Sequence, residues 1–110
     1  LNKKIKSWIN NRRCTYSYDG NSVKKFKKTD VLYGGVVTRM KEDKNGKHWF
    51  GGDGLCRYDG KSFSHFTKND GVTDSNIWTI LEDNTGNIWL GTRETGLYRY
   101  DGITFTKFSK

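Results

Sequence analysis

The sequence predicts an all-β fold built from short four-stranded antiparallel units, and three observations support this prediction. The tripeptide Tyr-Asp-Gly occurs three times, beginning at Tyr18, Tyr58 and Tyr100, at spacings of 40 and 42 residues. Apolar residues between these tripeptides alternate with the period of two that is typical of strands and not of helices. The Asp-Gly pairs favour tight hairpins of the type in which both turn residues have positive φ. A fixed period near 40 residues therefore indicates a repeat architecture.

Two of the repeats are complete. The pattern Glu-Asp-x-x-Gly-x-x-Trp begins at Glu42 and again at Glu82. The second repeat is predicted to contain strands at residues 36–41, 48–52, 55–58 and 62–66, and the third at residues 77–82, 87–92, 97–100 and 104–108. Four-stranded meanders that repeat at this length are typical of the blades of a β-propeller.

The first repeat is degenerate. It aligns with the others through Trp8 and Tyr18, but nothing before Trp8 resembles the Glu-Asp turn, so we predict that its first strand is missing. The proposed units are residues 1–35, a degenerate first blade, residues 36–70, the second blade, and residues 76–110, the third blade. Together they form one partial β-propeller.

Composition restricts the class of protein further. Only 33% of the 110 residues are hydrophobic but 15% are aromatic, so a few large rings must provide most of the buried surface. The net charge is +8, but most lysines are dispersed and no nucleic-acid motif accompanies them, so we predict no nucleic-acid partner. No apolar run is long enough for a membrane segment. Cys14 and Cys56 lie at non-equivalent positions of different repeats; we expect thiols, although a disulfide stays possible in an exported protein.

The positions that recur between repeats are predicted to serve the fold. The tryptophans should wedge between blades, the tyrosines should pack with their hydroxyl groups reaching the backbone, and the aspartates should accept hydrogen bonds from turn N–H groups. These structural positions are Trp49, Trp89, Tyr18, Tyr58, Tyr100, Asp43 and Asp83.

Catalysis and metal binding are not predicted. The turn at residues 43–46 contains a lysine and offers too few oxygen atoms for calcium, so we predict no metal and no cofactor. Ser64 and His65 are neighbours on a predicted strand and would point to opposite faces, so they do not form a hydrolase dyad. We therefore predict that the chain is not an enzyme.

Differences between repeats indicate where a ligand would bind. The loops between strands two and three, and the connections from one blade to the next, share one side of the blades, which we call the loop face. On this face Trp78 replaces Thr38 near the start of an inner strand. An aromatic ring beside charged groups suits a glycan or a small anion. The candidate ligand-binding residues are Trp78, Arg93, Glu94, Asp74 and Asn76; the alternative is that they are ordinary loop residues.

The third repeat carries a family likeness. Its motifs Gly-x-x-Trp-Leu-Gly-Thr, Gly-Leu-x-Arg-Tyr-Asp and Phe-x-x-Phe, within residues 86–108, resemble the two-component regulator propeller repeat. Residues 47–66 match this repeat well, and the first 35 residues match it only at 18–26. The resemblance implies a non-enzymatic sensor segment of a bacterial hybrid two-component system, in the periplasm or elsewhere outside the cytoplasm. It also implies ligand binding, often of carbohydrate, and no shared catalytic residues.

The number of strands creates a closure problem. Eleven predicted strands amount to about 2.75 blades, whereas propellers have about 4–8, so one chain does not close a ring. Bare, aromatic-rich end faces are rare in soluble monomers. Two copies could form a ring of about six blades, larger assemblies could form, or the chain could be part of a longer propeller. We favour a homo-oligomer, with a dimer preferred. Two functions stay open, namely ligand or partner binding through the loop face, and a structural assembly module without a small ligand.

Overall fold

The structure is a computed structural model that describes residues 5–10, 14–32, 37–72, 76–93 and 96–108. These residues form strands in three antiparallel sheets. The strands are β1 (Ser7–Asn10), β2 (Cys14–Tyr18), β3 (Val23–Lys27), β4 (Val37–Glu42), β5 (His48–Gly52), β6 (Gly54–Tyr58), β7 (Phe63–Phe66), β8 (Ile77–Glu82), β9 (Ile88–Thr92), β10 (Leu97–Tyr100) and β11 (Phe105–Lys107). A helical turn, α1 (Lys28–Val31), and a 3-10 turn (Lys68–Asp70) lie in the connections between sheets.

Each sheet is a simple meander. Blade one has the order β1-β2-β3, blade two β4-β5-β6-β7 and blade three β8-β9-β10-β11. The pairing of Trp8 with Ser17 in blade one corresponds to the pairing of Trp49 with Arg57 in blade two, so β1 is the counterpart of the second strand of the complete blades. The prediction of an all-β fold with four-stranded blades and an unclosed ring is confirmed.

The outer hairpins differ in one detail from the sequence prediction. Positive φ occurs at Gly60 (101°) and Gly102 (102°), whereas among the described residues no non-glycine residue has positive φ. The prediction that both residues of the Asp-Gly pair take positive φ is therefore wrong. Asp59 instead stays outside the left-handed region, and its carboxylate accepts hydrogen bonds from the N–H groups of Lys61 and Ser62, both at 2.9 Å. This side-chain turn closes the hairpin with a single glycine in the left-handed region.

The hydrophobic core lies between neighbouring blades. Consecutive residues of β5 point to opposite faces of the sheet, so Phe50 packs towards blade one and Trp49 towards blade three. One cluster joins blades one and two, with Phe50, Cys56 and Tyr58 against Trp8 and Phe26. The other joins blades two and three, as its buried residues show: Trp49, Leu55, Val72, Ile77, Ile88, Leu90, Tyr98 and Tyr100. Blade two is therefore covered on both faces.

Candidate functional site: blade turns, end faces and loop face

The turn between the first two strands of each complete blade is organised by one carboxylate. Asp43 Oδ1 accepts hydrogen bonds from the N–H groups of Asn45 (2.9 Å) and Lys47 (3.0 Å). Its Oδ2 accepts a hydrogen bond from the indole N–H of Trp49 at 2.9 Å. Asp83 makes the same contact with Trp89, at 2.8 Å. The six-residue spacing of the aspartate and the tryptophan therefore ties the turn to the ring that packs between blades.

A second carboxylate links neighbouring blades. The N–H of Lys44, in the turn of blade two, donates to Glu82 of blade three, with distances of 3.0 Å to Oε1 and 3.2 Å to Oε2. The two turns lie side by side, because a Cβ added at Gly86 would come within 3.0 Å of Lys44 Cε. Glu82 and Asp83 are adjacent in the sequence, and they bind the turns of two different blades.

Acid is expected to destabilise these turns. Hydrogen bonds from the Trp89 indole, and then from Thr85 and Asn87, lower the pKa of Asp83 from its ordinary value of 3.8. The backbone N–H groups of Ser62 and Lys61 lower the pKa of Asp59 in the same way. A carboxylate with a lower pKa in the folded state adds stability above its unfolded pKa, and this stability is lost as the pH falls. We therefore expect the thermal midpoint to decrease below about pH 3.8.

Substitution of Trp89 by phenylalanine tests this prediction. The Trp89→Phe variant lacks the indole donor, so the pKa of Asp83 should rise and less stability should be lost in acid. Melting curves between neutral pH and acid would measure the change. Trp78→Phe, an equivalent change on the exposed ring of the loop face, is the control. An unchanged acid profile in Trp89→Phe would show that the indole does not set the pKa of Asp83.

The recurring tyrosines occupy two kinds of environment. Tyr58 Oη donates to the carbonyl of Gly60, and Tyr100 Oη donates to the carbonyl of Gly102, both at 3.0 Å. Both rings pack against the preceding blade and are buried. Tyr18 differs from the packing role predicted for it, since it is 39% exposed. No blade precedes it in the described chain, so no sheet covers its ring.

The arginines before two of these tyrosines were not singled out from the sequence. The Arg57 guanidinium lies 5.4 Å from the ring centre of Trp49 and 5.3 Å from that of Phe66. Arg99 lies 5.8 Å from Trp89 and 4.9 Å from Phe108. A sequence signal for these arginines was present, because both complete repeats share the tripeptide Arg-Tyr-Asp. Arg99 Nε is buried without a hydrogen-bond partner among the described residues.

The two end faces of the chain are formed by residues whose counterparts are covered inside it. We call the outer side of blade three the back face, comprising Trp89, Leu97, Arg99 and Phe108. The Phe108 ring is 48% exposed, and Leu97 is also exposed. Their counterparts in blade two, Phe66 and Leu55, are half-buried and buried by blade three.

The outer side of blade one, here called the front face, shows the same property. It is formed by Ile9, Tyr16, Tyr18 and Val23, and three of these side chains are exposed. The counterpart of Ile9 in blade two is Phe50, which is fully buried against blade one. Both end faces therefore have the composition of an interior blade surface and the exposure of an outer one.

The predicted ligand site is only partly within the described residues. The Trp78 side chain is 56% exposed and lies at a bulge of β8, between Ile77 and Thr79. Arg93 N–H donates to the carbonyl of Asn76 at 3.1 Å, so these two loop residues are brought together. Asp74 and Glu94 lie outside the described residues.

Thr38 is the counterpart of Trp78 in blade two, and its contacts differ from those of the tryptophan on the loop face. In blade two, the Thr38 hydroxyl donates to the carbonyls of Gly51 and Ile77, each at 3.3 Å, and so connects two blades. At the equivalent position, blade three presents an exposed ring instead. Three shallow cavities of the described residues are lined by other parts of the chain.

Other classes of site are not supported within the described residues. They contain no group of three or more His, Cys, Asp or Glu side chains that could hold a metal ion. Cys14 and Cys56 are buried in different sheets and are not joined by a disulfide. Burial raises the pKa of the Cys56 thiol to about 12, so this thiol is unreactive at neutral pH. None of the described helical segments has the length and apolar character needed to cross a membrane.

Comparison with known proteins identifies the repeat. Residues 71–94 match the two component regulator propeller family. This segment contains β8, β9 and the turn held by Asp83, so the likeness inferred from the third repeat is confirmed there.

A structural relative supports the fold over most of the chain. PorZ, described as an essential bacterial surface component of the type-IX secretion system of Porphyromonas gingivalis, superposes with a TM-score of 0.62 at 24% sequence identity. The match covers 88% of this chain and 16% of PorZ, so the chain spans a small part of that protein's length. At this identity the likeness concerns the fold alone. No curated protein sequence matches the chain.

Proposed function

We propose that this chain is a non-enzymatic β-propeller segment of a bacterial sensor-type protein that acts outside the cytoplasm, and that its end faces dock further blades. The observation that carries the proposal is the back face of blade three. Trp89, Leu97 and Phe108 repeat the residues with which blade two packs on blade three, yet here they are partly exposed. An aromatic surface of this kind is typical of an interface.

The two end faces should fit each other, because each repeats one side of a contact found between blades inside the chain. Inside the chain, each back face packs against the front face of the following blade, as Trp49 does against Tyr100 with ring centres 5.6 Å apart. The back face of one chain could therefore receive the front face of blade one of a second chain. Because such a contact joins different surfaces, two copies close a ring only when each end of one meets the opposite end of the other. The proposed units, residues 1–35, 36–70 and 76–110, would then give a ring of about six blades.

Sedimentation tests the proposed homo-oligomer. We expect a species of twice the 12.7 kDa monomer mass at low micromolar concentration. The Leu97→Glu variant, on the back face, should sediment as a monomer, because a charge would be buried at the contact. Ile103→Glu is the matched control, since Ile103 is exposed on an outer hairpin turn. A stable wild-type monomer at these concentrations would overturn the homo-oligomer.

A second candidate function is ligand binding through the loop face, with a glycan or a small anion as ligand. Two observations favour it, namely the exposed Trp78 ring on an inner strand and the backbone contact that places Arg93 beside Asn76. Aromatic rings and charged side chains together suit sugar or anion recognition.

A thermal-shift screen with neutral and anionic glycans tests the loop face. We expect a ligand that raises the melting temperature of the wild type and not of Trp78→Ala or Arg93→Ala. Lys61→Ala, on the opposite turn, should keep the wild-type shift and serves as the control. The absence of any shift across the screen would favour the assembly function alone.

A further inference from the structure

The indole of Trp8 is bound differently from the other two tryptophans of the repeat. Trp49 and Trp89 each donate to an aspartate carboxylate of their own blade, at 2.9 Å and 2.8 Å. The Trp8 indole N–H, on β1 of blade one, instead donates to Nδ1 of His48 on β5 of blade two, at 3.0 Å. Blade one is therefore joined to blade two through an imidazole, a group that titrates much closer to neutral pH than a carboxylate does.

This hydrogen bond determines which ring nitrogen of His48 carries the proton. An indole N–H can only donate, so Nδ1 must be unprotonated, and the proton of the neutral imidazole lies on Nε2. In the imidazolium both nitrogens are donors, so a second proton would bring two N–H groups face to face and the bond would be lost. The counterpart of His48 in blade three is Ile88, which is also buried, so the packing of a blade does not require an imidazole here.

Aromatic rings hold the Trp8 side chain beside His48. Its ring centre lies 4.8 Å from that of Phe50, 5.7 Å from that of Tyr58 and 5.6 Å from that of Phe26. These contacts do not depend on pH, so they keep the indole near the imidazole whether or not the bond is made. Since His48 is only 8% exposed, its protonation would place a positive charge and two opposed donors inside this contact between blades.

The charged side chains around His48 act on its protonation in opposite directions. A groove of about 210 Å³ borders the ring, and it is lined by Glu42 and Lys41 of β4 and by Lys6, which precedes β1. On the side of β3 and β6, Lys24 Nζ lies 3.4 Å from the hydroxyl of the tyrosine that pairs with His48. The carboxylate favours proton uptake by His48, whereas the lysines and the burial of the ring oppose it.

We propose that the contact between Trp8 and His48 is a proton-sensitive link, which holds blade one on blade two near neutral pH and loosens when His48 is protonated. The loosened form binds the proton better than the closed form. The link is therefore stable above the titration range of histidine, near pH ~6.5, and is weakened below it. The aspartates that hold Trp49 and Trp89 titrate only in stronger acid, so blades two and three should stay packed while blade one loosens. This contact lies inside the chain, so the inference does not depend on docking between end faces.

The other histidine of the chain, His65, is bonded in the opposite sense. Its Nε2 lies 3.0 Å from the carbonyl oxygens of both Asp30 and Val31. Since a carbonyl oxygen can only accept, this nitrogen carries a hydrogen, and protonation of the ring leaves both contacts in place. His65 lies on β7 and reaches α1, so it joins blade two to the connection from blade one without the same dependence on pH.

Nuclear magnetic resonance of the 110-residue chain between about pH 8 and about pH 5 tests the link. The Trp8 indole N–H signal should move with the ring signals of His48, and amide exchange in β1, relative to its intrinsic rate, should increase about tenfold at the acid end. The Trp49 indole signal should stay constant, because an aspartate holds it. His48→Asn places an amide oxygen near the position of Nδ1 and does not titrate, so it should keep the link closed throughout. His65→Gln is the matched control and should respond as the wild type does.

Three results would overturn the inference. One is a Trp8 indole signal and a β1 exchange rate that stay constant across the range in the wild type. Another is a Trp49 signal that changes together with that of Trp8, because it would show unfolding of the whole chain and not loosening of blade one. The third is a folded His48→Asn variant that responds to pH as the wild type does. If this variant does not fold, the wild-type titration decides alone, since both side chains are followed in the same sample.

Discussion

Trp49→Ala is expected to lower the free energy of unfolding by about 3–5 kcal/mol, the range for truncating a large buried aromatic side chain. The Trp49 ring is fully buried between blades two and three and stacks on Phe66, with ring centres 5.5 Å apart. Its indole also holds Asp43 in the turn. A loss of this size is a large fraction of the roughly 5–15 kcal/mol by which domains are stable, so urea unfolding should shift strongly.

Two variants make this prediction specific. Trp89→Ala removes the same residue from blade three, where the ring is half-exposed on the back face, and it should cost clearly less in the monomer. Trp49→Phe keeps a ring but lacks the indole donor. It therefore measures the hydrogen bond to Asp43 apart from the packing of the ring, and a hydrogen bond to a charged group contributes about 1.5–3 kcal/mol. Equal losses in Trp49→Ala and Trp89→Ala, measured in the monomeric Leu97→Glu background, would contradict the proposed difference in burial.

Gly51→Ala is expected to destabilise the chain by about 1–3 kcal/mol, as overpacking of a filled core does. The added methyl group would lie 2.7 Å from Ile77 Cγ2 and 3.0 Å from Ile77 Cβ, and the branched carbon cannot move away without shifting β8. The effect arises from contact between blades, since Gly51 is not among the glycines with positive φ. Chemical denaturation with the free energy extrapolated to water would measure it.

Gly91→Ala is the matched control. Gly91 is the equivalent residue of blade three, and its added Cβ would meet Thr79 Cβ of the same sheet at 3.3 Å. We expect a smaller loss there, because no following blade presses on this strand within the described chain. A Gly51→Ala variant as stable as Gly91→Ala would show that the packing of blades two and three is looser than these distances indicate.

The strands were predictable because the repeats provide internal evidence. Each strand boundary in the complete blades is supported twice, once in each repeat, and alternation assigns the faces. The start of β8 and the bounds of β5 agree with the prediction, and the start of β9 differs by one residue. The expectation that blade one lacks its first strand came from the missing Glu-Asp turn, and among the described strands only β2 pairs with β1. A strand pattern that is weak evidence in one repeat becomes strong evidence when a second repeat shows it at the same position.

The contacts between side chains were harder to predict from the sequence. The turn preference of Asp-Gly pairs predicts positive φ at both Asp59 and Gly60. In the structure the Asp59 carboxylate accepts the turn N–H groups, and only Gly60 has positive φ. The link from Asp43 to Trp49 spans six residues across a turn, and its distance depends on how the hairpin folds. The stacking of Arg99 in β10 on Trp89 in β9 and on Phe108, just after β11, could be proposed only once the register of these strands was known.

The loop-face candidates were the least predictable part of the molecule. Trp78 and Arg93 were chosen because they differ between repeats, so the repetition that supports the strands gives no second example for them. The structure leaves the Trp78 side chain 56% exposed and joins Arg93 to Asn76 through the backbone. A ligand's identity depends on the directions of several loop side chains at once, and a pattern along one strand does not contain this information.

The adjacent carboxylates of Glu82 and Asp83 have a geometric consequence for the packing of blades two and three. One carboxylate holds the turn of its own blade, and the other holds the turn of the blade before it. Since one peptide unit joins Glu82 to Asp83, with ~3.8 Å between their Cα atoms, the two turns are held side by side. The dipeptide Glu-Asp thus couples the fold of one turn to the packing of two neighbouring blades.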